Sequence, residues 1–295
     1  MTPRSLMLTA LIGFHAVACA PQPEPLIDRG TVVSKHASVR QKNSGTSKTL
    51  LTLESGQSVE ILERRENWYR VRVGDVQGFM EESTILTDST RNRMREIAED
   101  ARNAPVQNTA KTTGEATLRM EPGRSSPAVR KLRAGAKLEI LERRLATQSE
   151  RPQAWLKARI SPNEAGWISS TLVQFDVPDE ISRYTEERVY TAIQVLKEVQ
   201  DPATGPVFWY VVGERSARLD PGLDYDGIRV FTWNAGKGRY ETAYRLHNLK
   251  GVYPLEVGGA GANPTFRFHE LAEDGIKKER NFTMNGVVVR EIRKT

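Results

Sequence analysis

The chain of 295 residues carries 43 Lys plus Arg against 37 Asp plus Glu, a formal net charge of +6, with 27% charged residues and one cysteine. The positive charge is scattered through mixed stretches such as "ERRENWYRVR" rather than gathered into a basic stripe, so no nucleic-acid partner is expected. A single thiol excludes an internal disulfide, leaving stability to packing.

The amino terminus, "MTPRSLMLTALIGFHAVACA", has one early cation, Arg4, then about 14 mostly apolar residues and small residues before Cys19. Spanning a bilayer takes about 20 apolar residues, so this stretch is too short to cross one. It resembles a bacterial lipoprotein signal. That resemblance implies removal of residues 1–18, lipid attachment at Cys19, and a membrane anchor in the cell envelope. Ala20 after the cysteine implies the outer membrane, facing the periplasm, in a cell with two membranes. Residues 19–30 hold "PQPEP", whose prolines make a stiff, extended tether.

The hexapeptide "EILERR" occurs at Glu60–Arg65 and again at Glu139–Arg144, 79 positions further on. Solenoid repeats run to roughly 20–50 residues, so this spacing points to two copies of a small domain. The same slide pairs "ASVR" (37–40) with "ATLR" (116–119), and Gly56 with Gly135. After an insertion in the second copy, "WYRVRV" matches "WLKARI" and "GFM" matches "GWI". Val59 and Ile61 alternate with Glu60, and Leu138 and Ile140 with Glu139, the period of half-buried strands. In "WYRVRV", Trp68, Arg70 and Arg72 fall on one side, and Tyr69, Val71 and Val73 on the other. Turn letters ("ESGQ", "RAGA", "GDVQG", "SPNEAG") separate the strands, which predicts a small bent antiparallel barrel of about 60 residues in each copy.

These residues resemble the bacterial SH3 domains of cell-envelope and cell-wall proteins. The first copy supplies "SVR", "LESG", "VEIL", "WYRV" and "GFM", and the second "TLR", "LRAG", "LEIL", "WLKA" and "GWI". The first departs at Phe79, where the family has Trp. The second departs at Ala158, where Val is usual, and in its enlarged loop Leu145–Ala154. The resemblance implies SH3-like barrels at 31–87 and 113–175, and peptidoglycan, through its stem peptides, or other envelope proteins as partners. Aromatic side chains with a polar rim are how such barrels grip extended peptides, which makes Trp68, Tyr69, Phe79, Trp155 and Trp167 the candidate ligand-binding residues. Since Tyr69 alternates with Trp68, only one of that pair points inward. Two sites on one chain would reinforce each other through effective concentration.

Between the copies, residues 88–112 predict a helical linker. Asp88 or Ser89 caps it, Met94, Ile97, Ala98 and Ala101 recur at helical spacing, and "APVQNTAKTTG" follows as a flexible lead. Residues 176–295 form a third, α+β and mostly β domain. "PDEISRYTEERVYTAIQVLKEVQ" reads as a helix with Ile181, Tyr184, Val189, Ile193 and Leu196 near one face. About six strands follow as an antiparallel meander, with hairpins across "NAGKG", "AEDGI" and Asn285-Gly286. The expected fold class is mainly β: two small SH3-like β-barrels joined by a short helical linker, then a helix plus an antiparallel β-meander.

Chemistry is thinly represented. A cysteine nucleophile would have to be Cys19, which lipid would consume. His36, His247 and His269 are the only histidines beyond residue 18, and "HELAE" has Glu273 where a zincin has its second His. No Ser-x-x-Lys or Gly-x-Ser-x-Gly element occurs, and "GGAGANP" (258–264) reads as a hairpin loop. Asp220, Asp224 and Asp226 in "DPGLDYDG" form a weak calcium candidate that breaks the loop pattern at Gly222 and otherwise reads as a turn. The sequence predicts no enzyme, no cofactor and no metal. The expected role is a lipid-anchored envelope protein binding peptidoglycan. The alternatives are an envelope scaffold that binds other proteins, or a wall-modifying enzyme with its activity in 176–295.

Overall fold

The structure, a computed structural model, describes residues 25–146, 153–259 and 263–292. The signal segment, Cys19 and "PQPE" lie outside the described residues, as do 147–152 of the enlarged loop and 260–262 of "GGAGANP". The protein is mainly β, with three antiparallel sheets and few helices. It divides into two compact units, Met1–Ser89 and Thr90–Thr295.

The first unit is built on β1 (Asp28–Val32), β2 (His36–Arg40), β3 (Thr49–Glu54), β4 (Ser58–Arg65), β5 (Trp68–Val73), β6 (Val76–Glu81) and β7 (Ile85–Thr87), in the order β3-β2-β6-β5-β4-β1-β7. No ladder joins β3 to β7, so the expected closure into a barrel is absent from the strand pairing among the described residues. The core gathers Val39, Leu53, Ile61, Tyr69, Val71 and Met80. Alternation explains most of these positions, but both Ile61 and its neighbour Leu62 are buried. A β-bulge accounts for this: Ile61 faces Val71 while Glu63 already faces Arg70, leaving Leu62 unmatched. At Gly78 a Cβ would come within 2.6 Å of the Arg40 carbonyl oxygen and 2.7 Å of a Val39 methyl, so only glycine lets β6 approach β2 this closely.

The second unit repeats the plan. Its strands are β8 (Asn108–Thr112), β9 (Ala116–Arg119), β10 (Ala128–Leu132), β11 (Lys137–Ala146), β12 (Gln153–Ser161), β13 (Glu164–Ser169) and β14 (Val173–Phe175), in the equivalent order β10-β9-β13-β12-β11-β8-β14. Again no ladder joins the two ends among the described residues. The bulge recurs at Leu141, between Ile140 facing Ala158 and Glu142 facing Lys157. Gly166 stands 2.6 Å, measured from a built Cβ, from the Arg119 carbonyl oxygen. The lead expected to be flexible therefore contributes a strand, β8, because Ala110 and Thr112 alternate inward and pair with β11 and β14. The proposed tether likewise ends inside β1.

Helix α1 (Asp88–Arg102) packs Ile97 and Ala101 against Met120, Leu141 and Ala165 of the second sheet. Arg159 closes its last turn, donating from Nη1 to the carbonyl oxygens of Ala101 at 2.8 Å and Arg102 at 2.7 Å. A cation at the carboxyl end also complements the helix dipole.

The long helix expected after Val177 is a correction. Only α2 (Asp179–Ser182) is helical, and β15 (Val189–Asp201) is a strand. Val189, Thr191, Ile193, Val195 and Val199 put β-branched residues at alternate positions, which suits a pleated strand and outweighs the coincidental helical spacing. β15 opens a meander of seven strands rather than about six. β16 (Gly205–Arg215), β17 (Tyr225–Asn234), β18 (Arg239–Gly258), β19 (Thr265–Leu271), β20 (Lys277–Asn285) and β21 (Val288–Ile292) follow it in sequential order.

The second and third sheets share one core, in which Leu138, Ile140 and Leu156 belong to the same cluster as Tyr225, Leu255 and Phe268. Gln107, fully buried, stitches them together. Its backbone N–H donates to Ile140 O at 2.7 Å, its carbonyl accepts from Ile193 N at 2.8 Å, and its side-chain Oε1 accepts from Leu255 N at 2.7 Å. Residues 176–295 thus lie in the same compact unit as the second repeat.

Candidate ligand-binding site

Each repeated sheet turns an aromatic face away from its core. In the first unit the pleat sends Tyr69 inward and Trp68 outward. Tyr69 donates its hydroxyl to Glu82 at 3.1 Å, and burial, with the Glu82 charge next, pushes that phenol up to about 12. Trp68 is half-buried, opposite Arg65 and Glu81. Phe79 is also half-buried, and the Arg65 guanidinium lies 5.6 Å above its ring, a cation–π contact.

The second unit reproduces the arrangement with larger rings. Trp155 sits opposite Arg144 and Ser169, Trp167 takes the place of Phe79, and Arg144 lies 5.0 Å above the Trp167 ring. Both tryptophans are outside the apolar core cluster, yet they are 3% and 4% exposed. Each ring nevertheless lies on the wall of a cleft. One, of about 580 Å³, places Trp167, Arg144 and Lys157 against Ile97 and Asp100 of α1. Lys157, itself buried, is ion-paired with Asp100, and this bond holds the aspartate carboxyl below its usual range.

The other cleft, of about 660 Å³, is walled by Trp155, Arg119, Arg124, Lys131, Arg133 and Ser169, with Glu115 as its only acid among the described residues. Gln153 Nε2 donates to Ser169 Oγ at 2.8 Å, and Ser169 Oγ lies 2.8 Å from Thr171 Oγ1. The Trp155 Nε1–H is buried without an acceptor among the described residues. Four cations, an indole and a row of hydroxyls suit an oxygen-rich anionic ligand more than an apolar one.

The three aspartates of "DPGLDYDG" do not converge. Asp220 Oδ1 accepts from Gly222 N at 2.7 Å. Asp226 accepts from Ser216 Oγ at 2.6 Å and is paired with Arg188. Asp224 is buried and accepts from Tyr253 N at 2.7 Å, with Arg143 Nε 3.9 Å from its other oxygen. Burial dominates there and raises its carboxyl to about 7, against the lowering by Tyr253 N–H, Arg143, Arg215 and Lys277. Among the described residues no group of three or more His, Cys, Asp or Glu is placed to hold a metal. "HELAE" begins on a strand, with His269 in β19.

Sequence reasoning missed Arg119, Lys131, Arg133 and Gln107. A signal for the basic wall existed in the pairing of the copies, which sets Arg133 against Glu54. Nothing local distinguished Gln107.

No protein-family model matches the chain, and no curated protein matches it. Among solved structures it is similar to NlpC1 from Trichomonas vaginalis at 12% identity, covering 90% of this chain and 92% of that one with a TM-score of 0.21. It is similar to NlpC2 from the same organism at 12% identity, 92% and 98% coverage and a TM-score of 0.21. An NlpC/P60 family protein from Bacillus cereus shows 11% identity, 85% and 93% coverage and a TM-score of 0.19. Likeness at this level carries no argument about fold or activity.

Proposed function

We propose that this is a non-catalytic, lipid-anchored envelope protein whose two SH3-like modules bind peptidoglycan through its stem peptides, with Cys19 as the anchor. The observation that carries this reading is the repeated outward face: Arg65 over Phe79 beside Trp68, and Arg144 over Trp167 beside Trp155. Duplication alone would preserve core letters such as Ile61 and Ile140. Preserving an arginine above an outward ring is what a peptide-gripping surface calls for. The third sheet enlarges the second module and supports it.

Retention on purified, protein-stripped sacculi tests the reading, using the chain without residues 1–18. Wild type is expected to co-sediment, and the double variant Trp68→Ala/Phe79→Ala to lose about tenfold in retention, since truncated aromatic anchors commonly cost more than 1 kcal/mol. A wild-type protein that stays in the supernatant overturns the proposal. Fatty-acid labelling of the full chain, abolished in Cys19→Ser, tests the anchor.

A further inference from the structure

We infer that the cleft beside Trp155 is a carboxylate subsite, found in the second copy and not in the first, that takes the free C-terminus of an extended peptide. The inference rests on the wall-binding reading and names the chemical group that one face of it selects.

The two copies are equivalent strand by strand. Thr117 pairs with Lys131 as Ser38 pairs with Thr52, and Trp155 pairs with Ser169 as Trp68 pairs with Glu81. Positions on the two faces can therefore be compared one by one. Arg119 and Arg40 are alike, each donating from Nη1 to a serine carbonyl in the adjoining loop, Ser126 at 2.6 Å and Ser47 at 2.9 Å. The rest of the wall changes sign. Arg133 replaces Glu54, Lys131 replaces Thr52, Arg124 replaces Gly45, and Ser169 replaces Glu81.

The second copy thus sets four cations against Glu115 among the described residues, whereas the first has Arg40, Glu54 and Glu81 at the equivalent positions. A carboxylate is attracted to one face and repelled by the other. Arg124, Lys131 and Arg133 are exposed, so core packing does not dictate them. Arginine forks match a carboxylate bidentately.

Trp155, on the wall of the cleft, holds a buried Nε1–H with no acceptor among the described residues, a second and independent sign. An unpaired buried donor is costly, and a ligand oxygen relieves that cost where an apolar group cannot.

The experiment titrates the chain lacking residues 1–18 with N-acetyl-Ala-Ala as the free acid and as its C-terminal amide, by calorimetry. The acid is expected to bind about tenfold more tightly than the amide, with the preference shrinking at about 0.5 M salt as screening grows. The variant Lys131→Thr/Arg133→Glu, which writes the first copy's letters on an exposed surface, is expected to lose the preference while melting as wild type does. Glu54→Arg in the first copy is expected to leave the wild-type preference in place.

Equal binding of acid and amide, or binding of neither while sacculi still retain the protein, overturns the subsite and leaves the wall reading standing. Preference for the acid without retention on sacculi supports the subsite and sinks the wall reading.

Discussion

The two copies of "EILERR" fold alike and are used differently. In both, the isoleucine enters a core, the leucine sits on a bulge and the first glutamate pairs with an arginine across the sheet, Glu60 with Arg72 and Glu139 with Arg159. The arginines then diverge. Arg64 is 61% exposed and pairs with Glu82 at the surface. Its counterpart Arg143 is 10% exposed, donates to Pro221 O at 3.2 Å and approaches Asp224, just before β17 of the third sheet.

The strand entrances differ in the same way. Ile27 and Gln107 both donate their backbone N–H to the repeated isoleucine carbonyl, yet Ile27 is 57% exposed and Gln107 is fully buried. The first copy meets water where the second meets another sheet. The second copy is joined to the third sheet both by a shared apolar core and by polar residues such as Gln107 and Arg143.

Three measurements would break or sharpen this contrast, each by denaturant or thermal unfolding of the chain lacking residues 1–18. Four of the five tryptophans lie beyond Thr90, so tryptophan fluorescence reports mainly the second unit. The largest effect is expected at the joint's buried acid. Folded Asp224 keeps its proton up to about pH 7, while the unfolded chain releases it near 3.8. The folded state therefore binds more protons across that window, and stability falls as pH rises through it. Asp224→Asn is expected to remove this slope, gaining roughly 2–4 kcal/mol over wild type at pH 8 relative to pH 4. An unchanged slope would show that Asp224 ionises freely.

Gln107→Leu comes next, at about 2–3 kcal/mol, because Leu255 N–H is left without its acceptor in a dry interior. The paired change Ile27→Gln is expected to stay within about 0.5 kcal/mol. Equal losses at both positions would erase the contrast.

The smallest effect separates Arg159→Ala from Arg72→Ala. Both break a glutamate pair, but only Arg159 also caps α1. It is expected to cost about 1 kcal/mol, and Arg72 less than about 0.5.

Much of this architecture was legible in the letters, and the failures have physical causes. The repeat, the alternation in "WYRVRV" and the Asn285-Gly286 turn are local patterns, and each strand they imply is present. The segment after Val177 misled because apolar residues at three- and four-residue steps also occur in an alternating strand rich in β-branched residues. Alternation alone sets Tyr69 and Trp68 on opposite sides, but which one faces the core depends on register with β4 and β6. Trp155 and Trp167 lie outside the core cluster and are nevertheless buried, on the walls of clefts formed with residues distant in sequence.

By itself the sequence determined the duplicated strand-turn pattern, the β-rich class and the glycines at Gly78 and Gly166, since periodicity, turn chemistry and a missing Cβ act over a few residues. Only the tertiary structure decided that the second copy and the third sheet share a core, that Gln107 and Arg143 serve as joints, and that Arg119, Lys131 and Arg133 meet beside Trp155. Burial and charge convergence depend on which distant strands become neighbours, and strand pairing across many residues leaves no periodic mark on the chain.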